Sequence, residues 1–135
     1  MKNQTLATLL AGLLAFSGTE ALARNLFVGD WGADGDFCKN NEQCWIEIEK
    51  PGKANKYTLK FVVADRFDGS KVRCSAEATA EKSSRGNFLA GEFTKTGQPF
   101  RVFPWKGGRI EMHAVGSSPC VLSLTINGLY TAIGN

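Results

Sequence analysis

From Gln43 onward the chain alternates apolar and polar residues with a period of two, the mark of strands that bury one face and wet the other. In QCWIEIEK, Cys44, Ile46 and Ile48 share one side while Glu47 and Glu49 take the other. KYTLKFVVAD sets Tyr57, Leu59, Phe61 and Val63 against Thr58 and Lys60, and KVRCSAEATA sets Val72, Cys74, Ala76 and Ala78 against Arg73, Ser75, Glu77 and Thr79. The same pattern predicts strands over 43–50, 56–65, 71–80, 87–94, 100–105, 109–114, 121–126 and 129–133. No segment beyond the leader region shows a helical stripe, and no internal repeat or long linker interrupts the series.

The connections KPGKAN, RFDGS, EKSSRG, KTGQ, KGG, GSSP and NG are rich in Gly, Pro, Asn and Ser, the residues that tight turns favour. Short connections make sequential strands antiparallel neighbours. A meander of about eight strands must dispose of its two edges, and rolling the sheet shut removes them. The predicted fold is therefore all-β, a small antiparallel up-and-down barrel, with a two-sheet sandwich as the alternative. Small Ala76 and Ala78 opposite large Phe61, Phe88, Phe93 and Phe103 are expected to interdigitate inside; a barrel of this size is either solid or holds one small ligand.

Ahead of the strands, Met1 to Ala23 has a basic start, an apolar run and an Ala-Leu-Ala end, the layout of a secretory signal cleaved after Ala23. Its apolar run is too short for a membrane span. The expected product is a single domain, residues 24–135, in the periplasm or secreted. The net charge of +3 is scattered in mixed-sign clusters with no basic block, which argues against a nucleic-acid partner. The four cysteines, Cys38, Cys44, Cys74 and Cys120, agree with an oxidising compartment. Their spacing lacks the Cys-x-x-Cys knuckle of a zinc site, so two disulfides are expected and no metal.

At the start of the meander, Phe27, Gly29 and Trp31 form a Phe-x-Gly-x-Trp pattern. It resembles the first motif of the calycins, the superfamily of lipocalins and of small bacterial secreted proteins and protease inhibitors. That resemblance implies a barrel whose Trp closes the base, with Trp31 as a structural plug; the flanking Gly29 and Gly32 let the backbone turn tightly around it. The C-terminal CVLSLTINGLYTAIGN contains no Arg or Lys to lie across the Trp as in lipocalins, so the architecture is what carries over. Counting along such a meander places all four cysteines near one end, taken to be the Trp31 end. Cys38 with Cys44 and Cys74 with Cys120 is the preferred pairing; Cys38 with Cys120 and Cys44 with Cys74 is the alternative.

Catalytic sets are hard to find. His113 is the only histidine, and RIEMHAV puts it on the outer side with Glu111. There is no Gly-x-Ser-x-Gly nucleophile turn. The pairs Asp34/Asp36 and Asp65/Asp68 read as turn residues, and Asp34/Asp36 lack the sustained alternation of a calcium loop. The most suggestive surface is PFRVFPWKGGR, where Arg101, Lys106 and Arg109 interleave with Phe100, Phe103 and Trp105. Arg and aromatic residues dominate binding hot spots. The competing reading has two inward phenylalanines and ordinary outward charges. The expected function is non-catalytic binding, with no cofactor, of a small apolar ligand, a polymer or a protein. The alternative is inhibition of an exported protease or lysozyme through a loop.

Overall fold

The computed structural model describes residues 26–34, 42–52, 54–115 and 126–133. Its strands are β1 (Gly29–Ala33), β2 (Glu42–Glu49), β3 (Lys56–Asp65), β4 (Val72–Lys82), β5 (Leu89–Phe93), β6 (Pro99–Trp105), β7 (Arg109–Ala114) and β8 (Gly128–Ile133). Every neighbouring pair is antiparallel and sequential, and β1 closes on β8 from Asp30↔Ile133 to Ala33↔Tyr130, so the sheet is a closed eight-stranded barrel. Closure joins β1 to β8, so neither terminal strand is left as an open edge on which a second chain can template. Among the described residues no helix is long and apolar enough to cross a membrane.

Seven of the eight strands lie where the period-two pattern puts them. The first does not: GDWGA reads as turn composition, yet it is held extended because β2 and β8 supply ladder partners on both sides. The expected strand over 121–126 falls almost wholly outside the described residues, as do the leader region 1–23, Asp36, Cys38 and Cys120.

The lumen is filled by side chains. Ile46, Ile48, Phe61, Val63, Leu89, Val102, Ile110 and Tyr130 are each no more than 1% exposed and belong to one continuous core. The size matching expected along β3 and β4 is realised, since Tyr57, Leu59 and Phe61 stand opposite Ala80, Ala78 and Ala76. Within this core Tyr130 donates its hydroxyl proton to the Ile126 carbonyl, four residues earlier, at 2.8 Å, and burial pushes its phenol pKa up. Two phenylalanines assigned to the interior are not there. Phe88 and Phe103 pack on one another outside the barrel, with ring centroids 5.1 Å apart, because Phe100 and Val102 take the inward positions of β6 and leave Phe103 outward. Val72 is also turned out. The ladder slips between Val63 and Ala64, so that Ala64 pairs with Val72, skipping Arg73 and reversing the parity beyond Cys74.

Trp31 is buried, as a plug has to be, but it leans towards the pole opposite Cys44 and Cys74. Its indole N–H donates to the Phe27 carbonyl at 3.0 Å, and Phe27 meets the Tyr57 ring edge-on at 6.1 Å, which puts the plug where β1 and β3 begin. Gly29, at φ 143, sits directly beneath the indole nitrogen in a backbone region that side chains avoid. Cys44 and Cys74 both flank Val63, towards the end of β3 and the start of β4. Period-two counting fixes which face a side chain occupies; it does not fix the direction in which a large ring leans along the strand. The same register excludes one pairing. Two strand spacings put Cys44 and Cys74 about 9.5 Å apart, beyond the ~7 Å that a disulfide spans. Neither is a free thiol.

Candidate functional site

Outward positions of β6 recur every second residue as Pro99, Arg101, Phe103 and Trp105, and the register brings other side chains alongside. Ala90 stands beside Arg101, Arg101 beside His113, and Phe103 beside Glu111. Together they line a groove of about 860 Å³ on the outer wall of β5, β6 and β7. That volume falls within the ~300–1,000 Å³ of ordinary ligand sites.

Three local features make the groove. The first is Pro104, which has no N–H to give. It is tolerated inside β6 because the β5 ladder stops at Leu89↔Val102, so at Pro104 the strand has a partner only in β7, at Ile110. The sequence called for an edge or a bulge here; the closed barrel supplies a local gap. The second is Gly91. A Cβ there would lie 2.0 Å from the Thr79 carbonyl oxygen and 2.7 Å from the Ala80 Cα, so β5 presses against β4 more closely than any side chain allows. Gly91 has the inward parity of Leu89 and Phe93, so on the outer face only its backbone and the methyl of Ala90 form the groove floor, drawn close to β4. The third is the aromatic pair itself, Phe88 and Phe103, packed on one another and each only partly buried.

Around that pair the polar groups are ordered. The Arg101 guanidinium lies over the Phe88 ring, 5.4 Å from its centroid. His113 meets Phe103 edge-on at 5.4 Å, and its Nε2 is 2.7 Å from the Glu111 carboxylate. Trp105 is 41% exposed and closes one end.

Of the residues singled out in the sequence, Arg101, Phe103 and Trp105 are brought together in the groove. Lys106 and Arg109 are not among its lining. Lys106 is exposed in the β6–β7 turn, and Arg109 turns away to pair with Asp34 at 3.2 Å while donating from Nε to the Lys106 carbonyl. Ala90, Glu111 and His113 join the wall unforeseen as a group, and Phe88 backs it from outside the lining by packing on Phe103 and under Arg101. Outward parity of His113 and Glu111 was legible, but their meeting with Phe103 needed the β6–β7 register.

Asp65 and Asp68 behave as turn residues, while Asp36 of the other expected pair lies outside the described residues. Asp65 accepts the amide protons of Phe67 and Asp68, and Asp68 accepts from both the amide and the hydroxyl of Ser70, bonds that hold the Asp68 carboxyl below its usual range. Glu47 accepts the indole N–H of Trp45 at 2.9 Å. Among the described residues no group of three or more His, Cys, Asp or Glu is placed to hold a metal ion. No family model, curated protein or solved structure matches this chain.

Proposed function

We propose that this chain is an exported, non-catalytic binding protein that holds its partner on the outer wall of β5–β7. Export is argued from the leader-like residues 1–23 and from the even set of four cysteines. A calycin-like ancestry accords with Phe27, Gly29 and Trp31, and with a barrel whose plug hangs from the Phe27 carbonyl. The interior is a packed core, so the earlier expectation of an apolar ligand in the lumen gives way to a partner on the surface.

The observation that carries this reading is the groove. A barrel needs inward aromatics to fold; it gains nothing obvious from Phe88, Phe103 and Trp105 clustered on its outside. Aromatics and arginine on one concave surface are what binding hot spots contain. Mild cross-linking in the exporting cell, followed by purification, tests it. Wild type is expected to carry a partner that the double variant Trp105→Ala/Arg101→Ala loses while keeping the wild-type melting temperature. Undiminished capture by the variant contradicts the reading.

Inhibition of an exported hydrolase remains the second reading, and one feature favours it. Phe67 is 85% exposed at the tip of the β3–β4 turn, which Asp65 and Asp68 hold rigid through their amide bonds. A preorganised loop loses little entropy on binding. Titration against lysozyme and an extracellular protease is expected to show a stoichiometric loss of activity that Phe67→Ala relieves; unchanged activity in both removes this reading.

A further inference from the structure

We infer that the occupant of the outer-wall groove is an acidic oligosaccharide, a chain of sugar rings bearing carboxylates; the inference rests on the outer-wall reading above and names its ligand class. The first argument is shape. Pro99, Arg101, Phe103 and Trp105 stand in one row along β6, and at ~3.4 Å per residue the row is about 20 Å long, so it suits an extended chain rather than a compact molecule.

The second argument separates saccharide from peptide. An extended peptide gains affinity on β-proteins by adding a strand to an open edge. This barrel is closed, and the β5–β6 and β6–β7 ladders engage the backbone of β6 from both sides through Phe100, Arg101 and Val102. From Phe100 to Val102 the wall therefore offers side chains alone, and the stretch without a β5 partner, Phe103–Trp105, is interrupted by Pro104, which has no N–H to give an added strand; peptide amides laid against the Phe103 ring would be stripped of water without replacement partners. A sugar ring has the opposite layout. Its C–H faces stack on aromatic rings and its hydroxyls point outward from the ring edge, where the hydrogen-bonded Glu111 carboxylate and His113 imidazole offer polar partners on the groove side.

The third argument is charge. Among the described residues no carboxylate lies within ion-pair distance of Arg101, whose planar cation is instead parked over Phe88 at the groove wall. Arg109, by contrast, is paired with Asp34. Arg101 is thus placed to take a ligand carboxylate in its two-pronged geometry, and exposed Lys106 beyond Trp105 adds to the same sign.

Three defined probes test this on the whole mature protein: an oligouronate, a neutral gluco-oligosaccharide of equal length, and an oligoglutamate peptide, each titrated by calorimetry and two-dimensional NMR. The oligouronate is expected to bind at least tenfold more tightly than the neutral chain, with shifts confined to β5–β7. Trp105→Ala should weaken both saccharides tenfold or more. Arg101→Met, which keeps the apolar stem, should erase the preference for the uronate while leaving the neutral chain unchanged. Equal affinity for the two saccharides, uronate binding untouched by either variant, or no uronate binding at millimolar concentration overturns the inference. Oligoglutamate binding that Trp105→Ala abolishes would overturn the saccharide assignment and leave the outer-wall reading standing. If the cross-linked partner survives Trp105→Ala/Arg101→Ala, the outer-wall reading itself falls.

Discussion

Trp45 and Trp105 both point outward from the same barrel, and the chain treats them differently. Trp45, on the β2–β4 side, is partly covered by its own protein: Gly69 of the β3–β4 turn approaches its ring, Gln43 clamps that turn by donating to the Asp65 carbonyl, and the indole N–H goes to Glu47. Val62 beside it is 2% exposed although it lies on the outer face. Trp105 is 41% exposed, with no hydrogen-bond partner for its indole among the described residues. One outer wall is sealed by a turn folded back on it; the other is left open around an aromatic pair. Folding explains the first arrangement. The second has no structural use within the monomer, which is why function is sought there.

That contrast is testable by asking what each region does for stability and for capture. The largest stability effect belongs to the interior: Phe61→Ala, at a fully buried position opposite Ala76 and Ile46, should cost about 4 kcal/mol in urea unfolding. Gly91→Ala forces β4 and β5 apart and should cost about 2–3 kcal/mol, reshaping the groove floor as well. Tyr130→Phe removes one buried hydrogen bond, worth about 1 kcal/mol at neutral pH. Its pH signature is more specific. Because burial raises the folded phenol, the unfolded chain releases that proton first, so the stability from this group is complete below about pH 10 and declines as pH rises above it. Tyr130→Phe should flatten that alkaline decline. Smallest is Trp105→Ala, expected within about 0.5 kcal/mol of wild type, yet with capture lost. If it costs as much as Phe61→Ala, the two walls do not differ in the way argued.

The interior was legible in the sequence because burial enforces period two, and a one-residue error would throw every inward side chain into water. Thus Ile46, Ile48, Leu59 and Phe61 were readable at once. The failures occur where that rule stops acting. The Val63/Ala64 slip moved Val72 outward, and no residue there announces a bulge. Trp31 leans towards Phe27 because a carbonyl waits there, a fact of three dimensions. Phe103 was misplaced because apolarity was taken for inwardness, although Phe100 and Val102 already filled its strand's inner face. For the site, Arg101 and Trp105 stood out by chemistry alone. Glu111 and His113 came from β7 and could be joined to them only through register, and Phe88 came from the turn before β5. The bridges follow the same division: four cysteines predicted oxidation, but only Val63 standing between Cys44 and Cys74 rules out their mutual bond, so peptide mapping without reductant should find each joined to Cys38 or Cys120.

The most direct test of the open wall uses the three tryptophans as separate reporters. With 5-fluorotryptophan incorporated, Trp31, Trp45 and Trp105 give one ¹⁹F resonance each, assigned by single substitutions. Adding the partner recovered from the exporting cell should shift or broaden the Trp105 signal and leave Trp31 unmoved. A change at Trp31 or Trp45 with Trp105 unchanged would contradict the account.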